Sequence, residues 1–251
     1  MTADSSNSPP IGAALPGWTP PEFPDRRTLQ GQYVSVVPVD ADAHAADLFA
    51  ANCEDRERRN WTYLPYDPIE DSEEYRTWIE TYCGGDDPMF FAVIPKYTGK
   101  AAGIASYLRI KPDNASIEVG HIHFSPSLQR TAAATEAMFL MMEYAFDLGY
   151  RRYEWKCDAL NGLSCAAAER LGLSFEGIFR QAMIYKQRNR DTAWFAAIDS
   201  EWPQLKDAFQ TWLRPENFDS EGRQLQSLSA LTGPILHRRR SQENSSPTVP
   251  S

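Results

Sequence analysis

Between Ala133 and Leu148 apolar residues recur at steps of three and four, through Ala137, Leu140, Met141 and Tyr144, and Gly149 ends the run. This is the spacing of one long amphipathic helix whose apolar stripe must be covered along its length. A sheet is the natural cover, and the flanking segments predict its strands. Ser116–Phe124 reads as extended and delivers the chain through Ser125-Pro126 to the helix start. Residues 33–37 alternate toward a strand, 90–94 and 102–110 form a hairpin around the turn at 96–100, and 153–158, 174–179 and 193–198 read as further strands.

Helix signals fill the gaps. Asp40 offers an N-cap before Ala45, Leu48 and Phe49, and Asp71 opens a second helix carrying Tyr75, Trp78, Ile79 and Tyr82, which Gly84-Gly85 stops. Residues 164–171 read as a short helix closed by Gly172, and 201–213 as an amphipathic one with Trp202, Leu205, Phe209 and Trp212. The order β-α-α-β-β-β-α-β-α-β-β predicts an α/β fold, a mixed central sheet of about seven strands flanked by helices.

Residues 1–27, with Pro9, Pro10, Pro16, Pro20, Pro21 and Pro24, read as a proline-rich arm that Trp18 and Phe23 pin down. Residues 28–213 form the domain. Residues 214–251 are expected to be an extension ending in a disordered, solvated tail, in which His237-Arg238-Arg239-Arg240 is the basic run. No window approaches the ~18 apolar residues that span a membrane, and the first residues lack a secretory pattern, so a cytoplasmic protein without membrane contact is expected. Cys53, Cys83, Cys157 and Cys165 show no paired spacing, which predicts neither a disulfide framework nor a zinc site. A net charge of −9 argues against a nucleic-acid partner and suits a cationic, amine-bearing acceptor.

The junction into the long helix runs Gln129-Arg130-Thr131-Ala132-Ala133-Ala134. Small side chains at a helix start leave unpaired N–H groups at its positive end, where a pyrophosphate can approach. This segment resembles the acyl-CoA-binding loop of GNAT acetyltransferases, Gln/Arg-x-x-Gly-x-Gly/Ala. Gln129 and Ala134 match, whereas Arg130 and Ala132 stand where glycines are usual; Ala132 is acceptable if its φ is negative. Thr135-Glu136-Ala137, Asn161-x-x-Ser164, Glu169-Arg170-Leu171-Gly172-Leu173, Glu176-Gly177 and Arg190-Asp191 resemble, in order, motifs of the RimJ/RimL-like branch. The likeness covers about residues 30–200.

The resemblance implies acetyl-CoA as co-substrate, and no metal is expected because His121 and His123 have no third ligand in view. Its pantetheine would lie between two parallel strands that splay apart, Ser116–Phe124 and 153–158. Phe124, Gln129, Arg130, Thr131, Ala132, Ala133, Ala134, Asn161 and Ser164 fall where such proteins hold it. Asn161 and Ser164 equally suit the cap of a helix. Direct transfer to an amine needs a base, a polarised carbonyl and an acid for the thiolate. Glu118, eleven residues before Gln129, is the expected base, with Ser164 and Tyr185 as proton donors; Glu118 also reads as an ordinary strand residue. His121 and His123 would face away from Glu118 by simple alternation, unless a bulge intervenes, and are reserve bases. Met183 and Ala168 replace an acidic and a tyrosine residue of related enzymes. Trp61, Tyr63, Tyr66 and Trp78, with Asp67, Glu70 and Asp71, either recognise an amine or simply pack helices on the sheet.

The expected activity is acetyl transfer in a ternary complex to a primary amine of a small molecule or a protein N-terminus. The rival readings are a non-catalytic acyl-CoA-binding module and an interaction protein that forms a homodimer through Trp202, Phe209 and Trp212.

Overall fold

The structure is a computed structural model that describes residues 9–241. The outer ends of the expected arm and tail, 1–8 and 242–251, lie outside the described residues. The elements in chain order are β1 (Leu29–Gln30), β2 (Val34–Pro38), α1 (Ala41–Asn52), α2 (Ser72–Tyr82), β3 (Met89–Pro95), β4 (Gly103–Lys111), β5 (Ser116–Phe124), α3 (Ala132–Asp147), β6 (Arg152–Asp158), α4 (Gly162–Arg170), β7 (Ser174–Tyr185), β8 (Arg188–Ile198), α5 (Trp202–Leu213) and α6 (Leu228–Thr232). Among the described residues the strands form one sheet in the order β1-β2-β3-β4-β5-β6-β8-β7, with β5 and β6 as its one parallel pair. The eighth strand is the two-residue β1, too short to leave a periodic signal.

Local chemistry sets the helix starts. The Asp40 carboxylate accepts the Ala43 N–H, and that of Asp71 accepts those of Glu73 and Glu74. Packing then assigns the faces. Val36, Val93, Ile117, Val119 and the apolar side of α3 share one core. Leu48, Tyr75, Ile79, Phe90 and Ile104 form a second core under α1 and α2 on the opposite face.

Helix α3 is buried on nearly every side because α5 covers what the sheet does not. Phe139 meets Phe209 at 5.2 Å between ring centroids and Phe146 meets Trp202 at 4.9 Å. Trp202, Phe209 and Trp212 are therefore core residues, and the aromatic face invoked for a dimer is occupied within the chain.

Glu136 on α3 is buried and ties down the first hairpin. Its carboxylate accepts the backbone N–H groups of Gln32 (2.7 Å), Tyr33 (2.6 Å) and Val34 (2.9 Å). Gly31 is needed beside it, since a Cβ there would lie 2.3 Å from the Glu136 carboxyl carbon.

Both ends depart from expectation. Trp18 and Phe23 stay largely exposed while Pro24 is buried, and the arm is held instead by Asp25, whose N–H donates to Tyr144 Oη at 3.1 Å. The basic run is docked rather than solvated as far as Arg240. Strand β7 is a sheet edge with open hydrogen-bonding groups, and the extension satisfies them. Phe175 N–H donates to the Arg238 carbonyl at 3.0 Å, and His237 N–H to Ser174 Oγ at 2.9 Å.

Strands β7 and β8 also run beyond the expected 174–179 and 193–198, into a hairpin turned by Lys186 (φ 47°) and Gln187 (φ 58°). Two successive left-handed residues make a tight hairpin turn usually written with Asn or Gly. Neither is present, so the tip carried no turn signal.

Candidate active site

Strands β5 and β6 pair from Ser116 with Arg152 as far as Val119 with Trp155, and no farther. Beyond that point β5 continues only against β4 and β6 only against β8, so their facing edges separate into a wedge. A bulge bends β5 there. The register against β4 shifts between Ile104 and Ser106, and His121 takes a left-handed φ of 49°.

The bulge also resets the faces. Ile117 and Val119 belong to the α3 side, which puts Glu118 on the α1–α2 side; past the bulge Ile122 and Phe124 return to the α3 side. His121 stacks on Phe90 at 5.0 Å and His123 meets Trp61 edge-on at 4.4 Å, so both share the face of Glu118. Simple alternation placed them opposite, and the extra residue overturns that.

Burial pushes both imidazoles down to about 4, helped at His121 by the Arg109 charge, so both are neutral near pH 7. An unfolded histidine takes its proton near pH 6.5, so between about 6.5 and 4 the unfolded chain binds more protons than the folded one. Stability is complete above that window and falls as pH drops through it. Urea unfolding should therefore lose about 2 kcal/mol between pH 6.5 and 5.5, and a loss that persists unchanged in His121→Phe, His123→Phe would refute this origin.

Glu118 is 2% exposed and fully engaged. Arg109 grips both its oxygens, Nε at 2.6 Å from Oε2 and Nη2 on Oε1, and Lys156 Nζ lies 2.8 Å from Oε2. Lys156 in turn reaches Glu154 at 2.7 Å and sits 3.8 Å above the Trp194 ring. Neither cation carried a signal in the sequence, because strand register alone brings 109, 118 and 156 together.

At the start of α3, Thr131 is the N-cap and its Oγ1 accepts the Ala134 N–H at 3.1 Å. The backbone N–H groups of Arg130, Ala132 and Ala133 find no acceptor among the described residues. Arg130 has a φ of 63°, the conformation that favours glycine, whereas Ala132 is the first helical residue and needs none. Gln129 holds the loop from behind, donating to the Phe124 carbonyl at 2.8 Å and to Asn60 Oδ1 at 3.0 Å. The donors fit an anionic phosphate group, and the wedge beside them fits an extended chain with amide groups.

Across the wedge, Asn161 Oδ1 caps α4 by accepting the Ser164 N–H at 3.1 Å, and Ser164 Oγ accepts the Trp155 indole N–H at 3.0 Å. Tyr185 Oη donates to Asp158 Oδ2 at 2.8 Å, and burial followed by this bond raises the phenol to about 12. Asp158 is buried and also accepts the Leu160 N–H at 2.8 Å. It was missed because nothing but its place at the end of β6 marks it.

The hairpin tip reaches the segment between α1 and α2. Lys186 Nζ donates to the Trp61 carbonyl at 2.8 Å and pairs with Asp67 at 3.3 Å, while Tyr63 Oη bonds the Leu160 carbonyl at 3.3 Å. Trp61, Tyr66 and Trp78 pack on one another and on the second core. Tyr63, Tyr185 and Lys186 are partly exposed, and Asp158 is buried behind the Tyr185 hydroxyl. Among the described residues no three metal-ligating side chains converge, and no helix is long and apolar enough to cross a membrane.

The comparisons agree with this geometry. A family model described as acetyltransferase (GNAT) domain matches residues 34–174. A GCN5-related N-acetyltransferase from Brucella melitensis is 50% identical over 87% of this chain and 100% of its own, with a TM-score of 0.85. A probable acetyltransferase of the GNAT family from Chromobacterium violaceum is 42% identical over 78% of this chain and 100% of its own, with a TM-score of 0.71. The RimL ribosomal alpha-N-protein acetyltransferase, solved with coenzyme A in disulfide linkage to a cysteine, shares the fold at 19% identity and a TM-score of 0.58, over 69% of this chain and 99% of its own. No curated protein matches the sequence. With a splayed parallel pair, a helix start rich in free N–H donors and a family match over most of the sheet, this chain belongs to the GNAT acetyltransferase family.

Proposed function

We propose that the protein transfers an acetyl group from acetyl-CoA to a primary amine, of a small molecule or a protein N-terminus, by direct transfer in a ternary complex. The observation that carries this reading is the wedge between β5 and β6 opening beside the free N–H groups of Arg130, Ala132 and Ala133. Bound there, acetyl-CoA would supply an activated thioester. The N–H groups and the positive end of α3 would hold its phosphates, and the Arg130 guanidinium would add charge. The parallels with RimJ/RimL-like motifs support a place in that branch.

On the acceptor side the chain offers the Asp158–Tyr185 pair. Asp158 would receive the hydrogen bonds of an incoming ammonium and take its proton, with Tyr185 orienting the carboxylate. Ser164, fixed by the Trp155 indole, would donate toward the departing thiolate. Glu118, its oxygens taken by Arg109 and Lys156, acts as a positioning residue.

The test is acetylation of a panel of primary amines by the purified protein with Tyr185→Phe and Glu118→Gln compared. Tyr185→Phe should lower kcat about tenfold without changing acetyl-CoA binding. Glu118→Gln should cost less than about tenfold per folded molecule and keep the pH profile of the parent, whereas a loss of about 100-fold or more with a vanished acid limb would return the base role to Glu118. Acetyl-CoA binding with no turnover of any amine would select a non-catalytic acyl-CoA module.

A further inference from the structure

Cys157 is the next-to-last residue of β6 and Cys165 lies in the first turns of α4, and their sulfurs are 3.5 Å apart in the interior. The acetyl-transfer chemistry uses neither. A third group bears on the pair. Arg240, from the docked basic run, places Nη1 3.1 Å from Cys165 Sγ, donates through Nη2 to the Ala159 carbonyl at 2.7 Å, and has its backbone N–H on Glu169 Oε1 at 2.6 Å. A guanidinium held on the Ala159 carbonyl, on a residue whose backbone N–H is tied to Glu169, lies beside one thiol of a close pair and favours the thiolate of that thiol.

We propose that Cys157 and Cys165 form a hydroperoxide-oxidisable dithiol in which Cys165 is the attacking sulfur and Arg240 activates it. The thiol of Cys165 is lowered from its ordinary range, first by the hydrogen bond from Cys157 and then by the Arg240 charge, while that of Cys157 is raised. Access exists. A surface cavity of about 440 Å³ is lined by Gly162, Cys165, Ala166, Glu169, Ile178 and Arg240, large enough for a small peroxide, and there the Glu169 carboxylate opposes the Arg240 charge at Cys165.

The chemistry balances in two steps. The Cys165 thiolate attacks the O–O bond of a hydroperoxide and takes one oxygen as a sulfenic acid; the other oxygen leaves with the proton Cys165 gave up, as an alcohol or water. The Cys157 sulfur then attacks the sulfenic sulfur, the S–S bond forms, the S–O bond breaks, and hydroxide leaves with the Cys157 proton as water. Two thiols are oxidised and one peroxide is reduced. Closing 3.5 Å to the ~2.05 Å of a disulfide needs a shift of only about 1.5 Å. That shift draws α4 toward β6 and moves Ser164, which touches Cys157.

One tryptic fragment, 157–170, carries both cysteines, because Lys156 and Arg170 flank them. The intact protein is treated with hydrogen peroxide, alkylated without reduction, digested and weighed. The fragment should lose two hydrogens, resist alkylation and recover on reduction, while exposed Cys53 provides the internal control. Cys165→Ala should abolish the bond. Arg240→Gln should slow its formation about tenfold at pH 7, and Arg240→Lys, which keeps the charge, should stay near the parent rate. Oxidation of Cys53 without the bond in 157–170, or an unchanged rate in Arg240→Gln, would overturn the proposal.

Discussion

Ala132→Glu is expected to weaken acetyl-CoA binding about 100-fold while leaving the urea midpoint in place. A carboxylate at the first helical position suits the helix dipole, so folding gains slightly, but it sets a negative charge where the phosphates must come. At an effective dielectric constant near 20, a like charge a few ångströms away costs about 3 kcal/mol, which is the fold-change stated. Ala132→Pro separates the two contributions. Proline is well tolerated at the first helical position, and Thr131 already has the extended backbone, φ −96° and ψ 163°, that a following proline demands. This change deletes one N–H donor and adds no charge, so it should weaken binding about tenfold. Calorimetric titration of acetyl-CoA into the three proteins reads both effects. Equal affinities throughout would remove the phosphates from this helix start, whatever the protein binds elsewhere.

Glu136→Ala is expected to cost about 3–5 kcal/mol of folding stability. Three backbone N–H groups converge on this one carboxylate, and its removal strands them beneath α3. Glu136→Gln should recover part of the loss, because one amide oxygen can serve two of the donors while its NH2 faces the third. Urea unfolding monitored by tryptophan fluorescence measures the difference, and a loss below about 1 kcal/mol for Glu136→Ala would mean that water replaces the carboxylate. The Thr-Glu-Ala motif resembled a family signature beside the acyl-CoA loop. In the structure its glutamate anchors the β1–β2 turn, one turn of helix behind the donors.

Most of the elements were legible because their causes are local. Asp40 and Asp71 start helices through bonds to N–H groups two or three residues on, and the stripe from Ala133 to Leu148 fixes the face of α3. The free donors at the start of α3, proposed to hold the phosphates, were legible for the same reason: they are backbone groups whose freedom follows from the helix start. The acceptor side was not. The hairpin tip is turned by Lys186 and Gln187 without Asn or Gly, so the strands carrying Tyr185 to Asp158 ran past the point where pattern reading ended.

The charged residues divide on the same principle. Read along the chain, Glu118 is a carboxylate at a suggestive distance from Gln129. Read across the sheet, it is held by Arg109 from β4 and Lys156 from β6. A single extra residue at His121 turned two histidines onto the face of Glu118, and a run of arginines resembling a tail proved to cover the open edge of β7. Helix starts, apolar periods and the order of elements depend on neighbours within about four residues, so the sequence by itself determined the fold class and the helix start at Thr131 with its free N–H groups. Which carboxylate is saturated, which thiols touch and which hairpin closes the cleft depend on contacts between distant segments, and only the tertiary structure decided them, because strand register, bulges and edge pairing are settled by the packing of the whole sheet.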